Sequence, residues 1–272
     1  MLDNINQIYV VGDLHGEMEI SKLNTKNFPE QKTMTGTNIV IQVGDFGLVW
    51  KNEEQHKRLH SIYEAPQIIP EKRTDKTEKH WLNWLDRKPF YTLFIAGNHE
   101  NYDRLEKYPL IDFHGGKAAQ ISKKVFYLKN GYVYDFGGLK FWMFGGATSI
   151  DISHRREGVS WWRQETSSYK EMQFGLDNLR QHNYKVDYVI THTLPKIIME
   201  IEIYKSYFGE KNLYPCPVSS YLSNVFEAIK DNYIAWFAGH FHFDEELVKN
   251  IYVLYNKIRC INANNKNDIS VQ

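Results

Sequence analysis

Short apolar runs recur along the first hundred residues, and each is followed by glycine and then a polar side chain. They are Ile8 to Val11, Asn38 to Val43 and Tyr91 to Ala96. Runs that are apolar throughout, rather than alternating with polar residues, are typical of strands buried on both faces of a sheet. We predict three such strands, whose polar residues meet at one edge of the sheet, where ligands bind in sheets of this type.

The pattern changes from about residue 124. Three shorter strands are predicted there, at Val125–Leu128, Tyr132–Phe136 and Leu139–Phe144. The dipeptides Asn130-Gly131 and Gly137-Gly138 join them, and both tolerate the positive φ of tight hairpin turns. We therefore expect an antiparallel meander. Residues 145–168 fit neither the helical nor the strand period, which is typical of a long functional loop.

The remaining elements follow from the same two periods. Strands are predicted at Val186–Ile190, Tyr233–Ala238 and around Ile251–Tyr255. Helices are predicted at Glu17–Asn24, at Ser168–His182 and over the apolar face Tyr221, Leu222, Val225, Phe226 and Ile229. Residues 51–88 are predicted as a charged connection of two helical stretches, separated by a solvated loop that Pro66, Pro70 and the run Glu71–Lys79 mark. The second stretch carries Trp81, Leu82, Trp84 and Leu85 at helical spacing. Residues 193–216 are left unassigned.

Composition narrows the class of protein. A chain of 272 residues with 42% hydrophobic residues has enough apolar side chains for a sizeable core, which excludes a disordered protein. No internal repeat or linker divides it, so we expect residues 1–272 to form a single domain. Lys+Arg and Asp+Glu balance at 33 each, which argues against a large basic surface for nucleic acid. The charge balance does not exclude a smaller, local basic patch.

Cysteine content and the amino terminus bear on location. Cys216 and Cys260 are too few for a disulfide framework and lack zinc-finger spacing, so we expect buried free thiols in a reducing cytosol. The first residues lack the basic and then apolar pattern of a secretory signal. No apolar run approaches the roughly 20 residues that span a bilayer. We therefore expect a soluble, cytoplasmic protein without a membrane partner.

Residues with metal-ligand chemistry follow five of the apolar segments. They are Asp13 and His15, Asp45, Asn98 and His99, His192, and His240 and His242. Oxygen and nitrogen ligands without thiolate suit Mn²⁺, Fe, Zn²⁺ or Mg²⁺. Without His99, seven ligands remain, which exceeds the need of one ion and suits two ions sharing a carboxylate. We interpret the other histidines as ordinary polar residues: His56, His60, His80, His114, His154 and His182.

The ordered motifs resemble the signature of the calcineurin-like metallophosphoesterase superfamily. The blocks are Gly12-Asp13-Leu14-His15, Gly44-Asp45, Gly97-Asn98-His99-Glu100, His192 and Gly239-His240-Phe241-His242. The resemblance runs from residue 8 to 242 and implies an α/β (α+β) fold, a two-sheet β-sandwich of mixed strands flanked by helices. It also implies one ion held by Asp13, His15 and His242, another held by Asn98, His192 and His240, and Asp45 bridging them.

The chemistry expected of such a centre is phosphoester hydrolysis. Two divalent ions, with Mn²⁺ expected first and Fe, Zn²⁺ or Mg²⁺ as alternatives, make a bridging hydroxide available near neutral pH. That hydroxide would attack phosphorus in line while both ions stabilise the phosphoryl oxygens. His99 follows a ligand directly, so we expect it to protonate the leaving oxygen or to stabilise the charged transition state. The alternative is that His99 only holds the turn together.

Departures from the superfamily pattern bear on substrate. Protein Ser/Thr phosphatases carry Asp-Arg-Gly after Gly-Asp-x-x, and neither that Asp nor that Arg follows Gly44-Asp45 here. The loop at 145–162 instead resembles a segment of bacterial and phage members that are not protein phosphatases, and Arg155 falls at the arginine of that segment. We hypothesise that Arg155 binds the substrate phosphate as a bidentate donor. Otherwise Arg155 and its neighbour Arg156 are solvated loop charges.

The same loop carries Trp161 and Trp162, which either stack on a nucleobase or pack the loop down. We expect a dinuclear metal-dependent phosphohydrolase that cleaves a phosphodiester or phosphomonoester, with a nucleotide or nucleic-acid end favoured as substrate. A protein Ser/Thr phosphatase is the second hypothesis, and the absent Asp-Arg-Gly argues against it. A metal-binding scaffold without activity is the third, and the complete set of ligands argues against that. The oligomeric state is left open.

Overall fold

The computed structural model describes residues 2–50, 75–208, 215–262 and 269–271. Its first sheet has eight strands in the order β14-β13-β1-β2-β3-β6-β5-β4. These strands are β1 (Ile5–Val11), β2 (Thr37–Gln42), β3 (Tyr91–Phe94), β4 (Leu110–Phe113), β5 (Gly116–Gln120), β6 (Val125–Leu128), β13 (Ile258–Asn262) and β14 (Ile269–Val271). The central strands β1, β2, β3 and β6 run parallel, and the outer pairs are antiparallel.

The second sheet has six strands in the order β11-β12-β10-β9-β8-β7. These strands are β7 (Val133–Phe136), β8 (Leu139–Phe144), β9 (Tyr188–Thr191), β10 (Ala235–Ala238), β11 (Glu245–Leu247) and β12 (Ile251–Val253). Here too the centre is parallel, through β8, β9, β10 and β12, and the outer pairs are antiparallel. Each sheet therefore carries a set of parallel strands whose carboxyl ends share one edge.

The main core lies between the two sheets. Ile8, Val10 and Ile41 of the eight-stranded sheet pack in the same cluster as Phe141 and Phe237 of the six-stranded sheet, and all five are buried. The alternate residues on the same strands face outward into two further apolar clusters, which helices and loops cover. Burial on both faces explains why these strands are apolar throughout. The predicted sandwich of mixed strands flanked by helices is confirmed.

Five α-helices are described: α1 (Asp75–Asp86), α2 (Tyr102–Leu105), α3 (Tyr169–Gln181), α4 (Lys196–Ile198) and α5 (Pro217–Ile229). The helix α4 continues as a π-helix over Met199–Phe208. Helix α3 begins with a capping box between Ser168 and Glu171, which satisfies free N–H groups of its first turn. Proline at the first position starts α5. None of the helices in the described ranges is both long and apolar enough to cross a membrane.

The predicted antiparallel meander is wrong. Strand β6 pairs with β3 in parallel and with β5 in the eight-stranded sheet, and not with β7. The chain leaves β6 through Asn130-Gly131 and crosses to the other sheet, so only Gly137-Gly138 closes the expected hairpin, between β7 and β8. All four residues of β6 are buried, which suits an interior position in a sheet covered on both faces.

Two smaller predictions also change. The expected helix at Glu17–Asn24 is two short 3₁₀ helices, Gly16–Met18 and Ile20–Leu23. The loop expected at Glu71–Lys79 is wrong over Asp75–Lys79, which belong to α1. Within that helix Glu78 is not solvated, because its carboxylate pairs with Arg104 and its side chain is only 14% exposed. The rest of that connection, 51–74, lies outside the described residues, as do 209–214 of the unassigned segment.

Candidate metal centre

Five turns meet where the parallel strands of both sheets end. Ligand atoms of Asp13, His15, Asp45 and His242 lie within 4.8 Å of one another, and so do those of Asp45, His192 and His240. The two groups share Asp45. They correspond to the two sets of residues that the sequence assigned to two ions, apart from Asn98, whose amide is described below.

In the first group, two imidazoles face two carboxylates. His15 Nε2 lies 3.2 Å from Asp45 Oδ2, and His242 Nε2 lies 3.2 Å from Asp13 Oδ2. The other nitrogen of His15, Nδ1, lies 2.9 Å from Oε2 of Glu19. Because a carboxylate only accepts hydrogen bonds, Nδ1 carries the proton and Nε2 is left to face the centre.

In the second group, His192 is held in the same way by a carbonyl. Its Nδ1 donates to the backbone oxygen of Val43 at 2.9 Å, which turns Nε2 towards Oδ1 of Asp45 at 3.3 Å. The same Nε2 lies 3.0 Å from Oδ1 of Asn98. Asn98 thus joins the second group through its side-chain oxygen, as the sequence implied.

The chemistry of this set of donors fits two divalent cations. Carboxylate oxygens, one amide oxygen and imidazole nitrogens converge on the centre. Asp13 and Asp45 are almost fully buried, and burying charge is unfavourable unless an opposite charge compensates it. Nitrogen and oxygen ligands without thiolate suit Mn²⁺, Zn²⁺, Fe and Mg²⁺.

Without metal ions, protons on the histidines compensate the negative charge of the buried carboxylates. Burial acts to lower the pKa of His15 and of His192, but the carboxylate of Asp45 outweighs it and raises the pKa of each to about 9. Burial also acts to raise the pKa of Asp45, and the charge on His192 overrides it and holds that pKa well below the usual range. Burial and the neighbouring His192 lower the pKa of His240 to about 3. The cluster therefore holds positive charge tightly at two of its imidazoles.

The backbone of the centre is strained. His15, Asp45, His240 and His242 have φ values of 43°, 56°, 71° and 57°, in the left-handed region that residues with a Cβ avoid. Backbone strain of this kind persists where the surrounding structure fixes it, and it concentrates at functional sites. Four ligand positions adopt this conformation. The need to direct their side chains into the centre therefore determines the backbone of these turns, even though the conformation is unfavourable.

Glycines before the ligands allow the turns to touch. A Cβ on Gly97 would overlap Oδ1 of Asp45, and a Cβ on Gly239 would overlap Oδ1 of Asp13. Each glycine therefore lets one turn approach the carboxylate carried by another. This close packing explains the Gly-ligand pairs in the sequence.

His99 lies beside the ligands and outside both groups. Its backbone N–H donates to Oδ1 of Asp45 at 2.7 Å, and its ring makes an edge contact with His15, with ring centres 5.2 Å apart. Burial lowers the pKa of His99, with the charge of Arg155 acting in the same direction against Asp45. The ring is therefore neutral at pH 7, and the backbone contact shows that His99 also holds the turn.

Arg155 contacts His99. Its two terminal nitrogens lie 3.3 and 3.1 Å from the two ring nitrogens of His99, and its Nε lies 2.7 Å from a carboxylate oxygen of Asp151. The side chain is only 14% exposed, whereas Arg156 is exposed. The description as a solvated loop charge therefore fits Arg156 and not Arg155.

The structure also gives the surroundings of Trp162, of the remaining described histidines and of the cysteines. Trp162 is buried and packs edge-on against Trp50, so it packs the loop down. Among the described histidines outside the centre, His114 and His182 hydrogen-bond to backbone groups, His80 contacts Trp81, and His154 is exposed. His56 and His60 lie outside the described residues. Both cysteines are free thiols, and Cys260 is buried as expected, whereas Cys216 is only partly buried.

Several supporting residues were not predicted. Glu19 accepts from His15 and from the hydroxyl of Tyr255, whose ring stacks on His242 at 4.9 Å. Glu100 is buried and accepts from the N–H groups of Phe46 and Gly47 at 2.7 and 3.2 Å. The spacing of four between His15 and Glu19, on a short helical stretch, is a signal that sequence reasoning could have used.

Two more supporting residues, Ser149 and Glu165, stand 16 positions apart in a loop. Asn98 Nδ2 donates to the hydroxyl oxygen of Ser149 at 3.1 Å, and that hydroxyl donates to Glu165 at 2.7 Å. No local pattern in the sequence connects these residues. Their contact exists only because the loop folds back on itself.

Comparison with known proteins agrees with this geometry. The family model described as calcineurin-like phosphoesterase matches residues 7–244. Curated relatives include lariat debranching enzyme A of Xenopus laevis, 26% identical over 249 residues, and the lariat debranching enzymes of Gallus gallus and Homo sapiens, each 25% identical over 252 and 248 residues. Each alignment covers 87% of this chain and 42% of the relative, so the chain spans about two fifths of the length of these relatives.

Proposed function

The chain belongs to the calcineurin-like phosphoesterase family, and on that premise we propose that it is a dinuclear metal-dependent phosphodiesterase acting on a nucleotide or nucleic-acid substrate. The observation that carries the proposal is the pair of ligand groups that share Asp45. The relatives support the choice of substrate, since lariat debranching is cleavage of an RNA phosphodiester. The missing Asp-Arg-Gly after Asp45 argues against a protein Ser/Thr phosphatase.

The proposed ligands divide between two ions, with Mn²⁺ as the first choice of metal. Asp13, His15 and His242 hold one ion, Asn98, His192 and His240 hold the other, and Asp45 binds both. When bound, two such ions lower the pKa of a water molecule and neutralise charge on the phosphoryl oxygens. The protein contributes the fixed positions of the ligands, through the hydrogen bonds that orient His15 and His192.

His99 is proposed to act on the leaving oxygen. Its ring lies beside both ligand groups and coordinates neither. A neutral imidazole keeps one N–H, which can donate a hydrogen bond to the oxygen as negative charge develops there. The lowered pKa of His99 favours this stabilising role over full protonation of the leaving group. His99→Ala is expected to retain both ions and to reduce kcat by about a hundredfold or more.

Arg155 is proposed to bind the substrate phosphate. Asp151 holds its Nε and the backbone oxygen of Ser160 accepts from Nη1 at 3.3 Å. These contacts fix the guanidinium with its two terminal nitrogens beside His99, as a fork suited to two phosphate oxygens. Arg155→Ala should raise KM, and the exposed neighbour offers a matched control, since Arg156→Ala removes the same charge one position away. Equal kinetics in the two variants would contradict this role.

The proposed function is tested with two synthetic substrates. Purified protein loaded with Mn²⁺ is given bis-p-nitrophenyl phosphate, a diester, or p-nitrophenyl phosphate, a monoester. We expect faster hydrolysis of the diester, and no hydrolysis without metal. A protein that binds two Mn²⁺ ions but turns over neither substrate would be the inactive scaffold, and the proposal would fail. Branched and linear RNA then test whether the activity named in the relatives extends to this chain.

A further inference from the structure

We propose that Ser149 and Glu165 are positioning residues that fix the side-chain amide of Asn98 with its oxygen towards the metal centre. The inference rests on the proposed function, because it assigns Oδ1 of Asn98 to the second ion. Neither residue belongs to either ligand group, and both come from the loop between β8 and α3.

The contacts form a chain of three buried side chains. Asn98, Ser149 and Glu165 are 5%, 1% and 1% exposed. Both carboxylate oxygens of Glu165 are engaged by Ser149, Oε1 by its backbone N–H and Oε2 by its hydroxyl, each at 2.7 Å. The hydroxyl oxygen of Ser149 in turn lies 3.1 Å from Nδ2 of Asn98.

The direction of these hydrogen bonds follows from the number of protons available. A serine hydroxyl has one proton, and an ionised carboxylate can only accept. The proton of Ser149 therefore points to Glu165, and the lone pairs of its oxygen are left to face Asn98. Only the NH₂ side of the amide can satisfy those lone pairs.

The opposite side of the amide then faces the centre. Oδ1 of Asn98 lies 3.0 Å from Nε2 of His192, where the second group converges. A divalent cation binds an amide through its oxygen and not through its NH₂ group. A flipped amide would remove one ligand from the second ion and direct two N–H donors at it. Supporting partners of this kind typically change metal affinity by about 10- to 100-fold when they are lost.

A purely structural role is the competing explanation. Ser149 and Glu165 stand near the two ends of the loop that carries Arg155, so their contact also closes that loop. If closing the loop were their whole function, loss of the carboxylate would weaken metal binding regardless of the side chain at position 98. The two explanations therefore differ in how Glu165 and Asn98 depend on each other.

The test begins with Glu165→Gln, which keeps the size of the side chain and introduces an NH₂ donor. That donor can bond to the hydroxyl oxygen of Ser149, so the hydroxyl proton is free to turn towards Asn98 and favours the flipped amide. Titration of the metal-free protein with Mn²⁺ in a calorimeter should show the second ion bound about tenfold or more weakly, with the first unchanged. Ser149→Ala removes the acceptor by another route and is expected to weaken the same ion.

The decisive step repeats Glu165→Gln in an Asn98→Asp background. A carboxylate presents oxygen on both sides, so its orientation no longer matters, and a hydroxyl that can donate to it is then favourable. Glu165→Gln should therefore leave the second affinity unchanged or raise it there. Glu157→Gln is the matched control, because this carboxylate lies in the same loop, pairs with Arg163 and does not engage Ser149.

Two results would overturn the inference. One is equal weakening by Glu165→Gln in both backgrounds, and the other is no weakening in the wild-type background. Failure of the wild-type protein to bind a second Mn²⁺ is a separate outcome that overturns the proposed function itself. The thermal midpoint of each metal-free variant shows whether the variant is folded.

Discussion

The two sheets bring different chemistry to the same edge. The eight-stranded sheet supplies the oxygen atoms of the centre, from Asp13, Asp45 and Asn98, whereas the three residues from the six-stranded sheet are all histidines. Burial differs for only part of this set, because His192 is fully buried and His240 is partly buried. The three oxygen ligands are at most 5% exposed, while the side chain of His242 is 48% exposed.

Anchoring of the ligands explains this division. The carboxylates of Asp13 and Asp45 accept from the backbone N–H groups of His240 and His99, at 3.1 and 2.7 Å. The negative charge is thus fixed in the interior, and the imidazoles from the other sheet close over it. Because each ligand group takes residues from both sheets, bound ions would join the sheets at this edge. Four predictions test that contrast, from the largest effect to the smallest.

Asp45→Ala is expected to have the largest effect. Asp45 belongs to both groups, so its loss should prevent both ions from binding. Removing several kcal/mol of charge stabilisation corresponds to about a thousandfold loss of metal-dependent activity or more. Asp187→Ala is the control, because that carboxylate accepts from Lys140 just before the start of β9, at the other end of the strand from His192. An active Asp45→Ala protein would exclude the bridging role.

Two histidines from the six-stranded sheet are both proposed ligands but differ in burial. Substituting each in turn shows how much burial contributes to metal binding. His192 is fully buried and held by Val43, whereas water can replace the exposed ring of His242. His192→Ala should therefore reduce the number of bound Mn²⁺ ions from two to one, and His242→Ala should keep both ions bound and weaken only the one that His242 contacts. Calorimetric titration measures both, and equal losses would show that burial does not matter.

The proposed ligands could be predicted because five of the seven directly follow a glycine or a strand end, and His15 and His242 come two positions after such a ligand. Asp13, Asp45, Asn98 and His240 all come immediately after glycine, and the physical reason is the close approach of the turns. The buried strands of the fold could also be predicted, because burial on both faces of a sheet makes a strand apolar throughout. His192 directly follows the end of β9, without a preceding glycine.

What could not be predicted depends on contacts between distant residues. Nothing near Asn130-Gly131 distinguishes a hairpin from a crossing between sheets, because both need the same tolerant backbone. Strands β4 and β5 were missed because their exposed and mixed residues carry no regular pattern. Ser149 hydrogen-bonds to Asn98 and to Glu165, and spacings of 51 and 16 residues have no period. Sequence patterns report local geometry, and these features are not local.

Removal of metal should reduce stability if the ions join the two sheets. At a free Mn²⁺ concentration 100 times its dissociation constant, binding contributes about 2.7 kcal/mol to the free energy of unfolding. For a chain of this size that corresponds to a drop in Tm of roughly 5–10 °C when a chelator is added. Scanning calorimetry with and without chelator measures the shift. The Asp45→Ala protein should show none, and a shift that persists in it would place the stabilising ion elsewhere.

The pH dependence of the metal-free protein should show the smallest effect, with opposite signs for different histidines. The pKa values of His15 and His192 are raised to about 9 in the folded state, so the stability they contribute is complete below their ordinary pKa of about 6.5 and is lost as the pH rises through 9. His240 acts in the other direction. Its folded pKa is lowered to about 3, so the unfolded chain takes up a proton first as the pH falls below about 6.5, and stability decreases.

The metal-free protein should therefore have its highest Tm near pH 6.5, with a decline of a few degrees on either side. His240→Gln should reduce the decline on the acid side only, because the alkaline side depends on Asp45 acting on His15 and His192. Asp45→Asn should reduce the decline on the alkaline side, because the carboxylate that raises both pKa values is gone. A Tm that stays constant between pH 6.5 and 9 would mean that the buried carboxylate does not control the imidazoles, and the contrast between the sheets would then be one of burial alone.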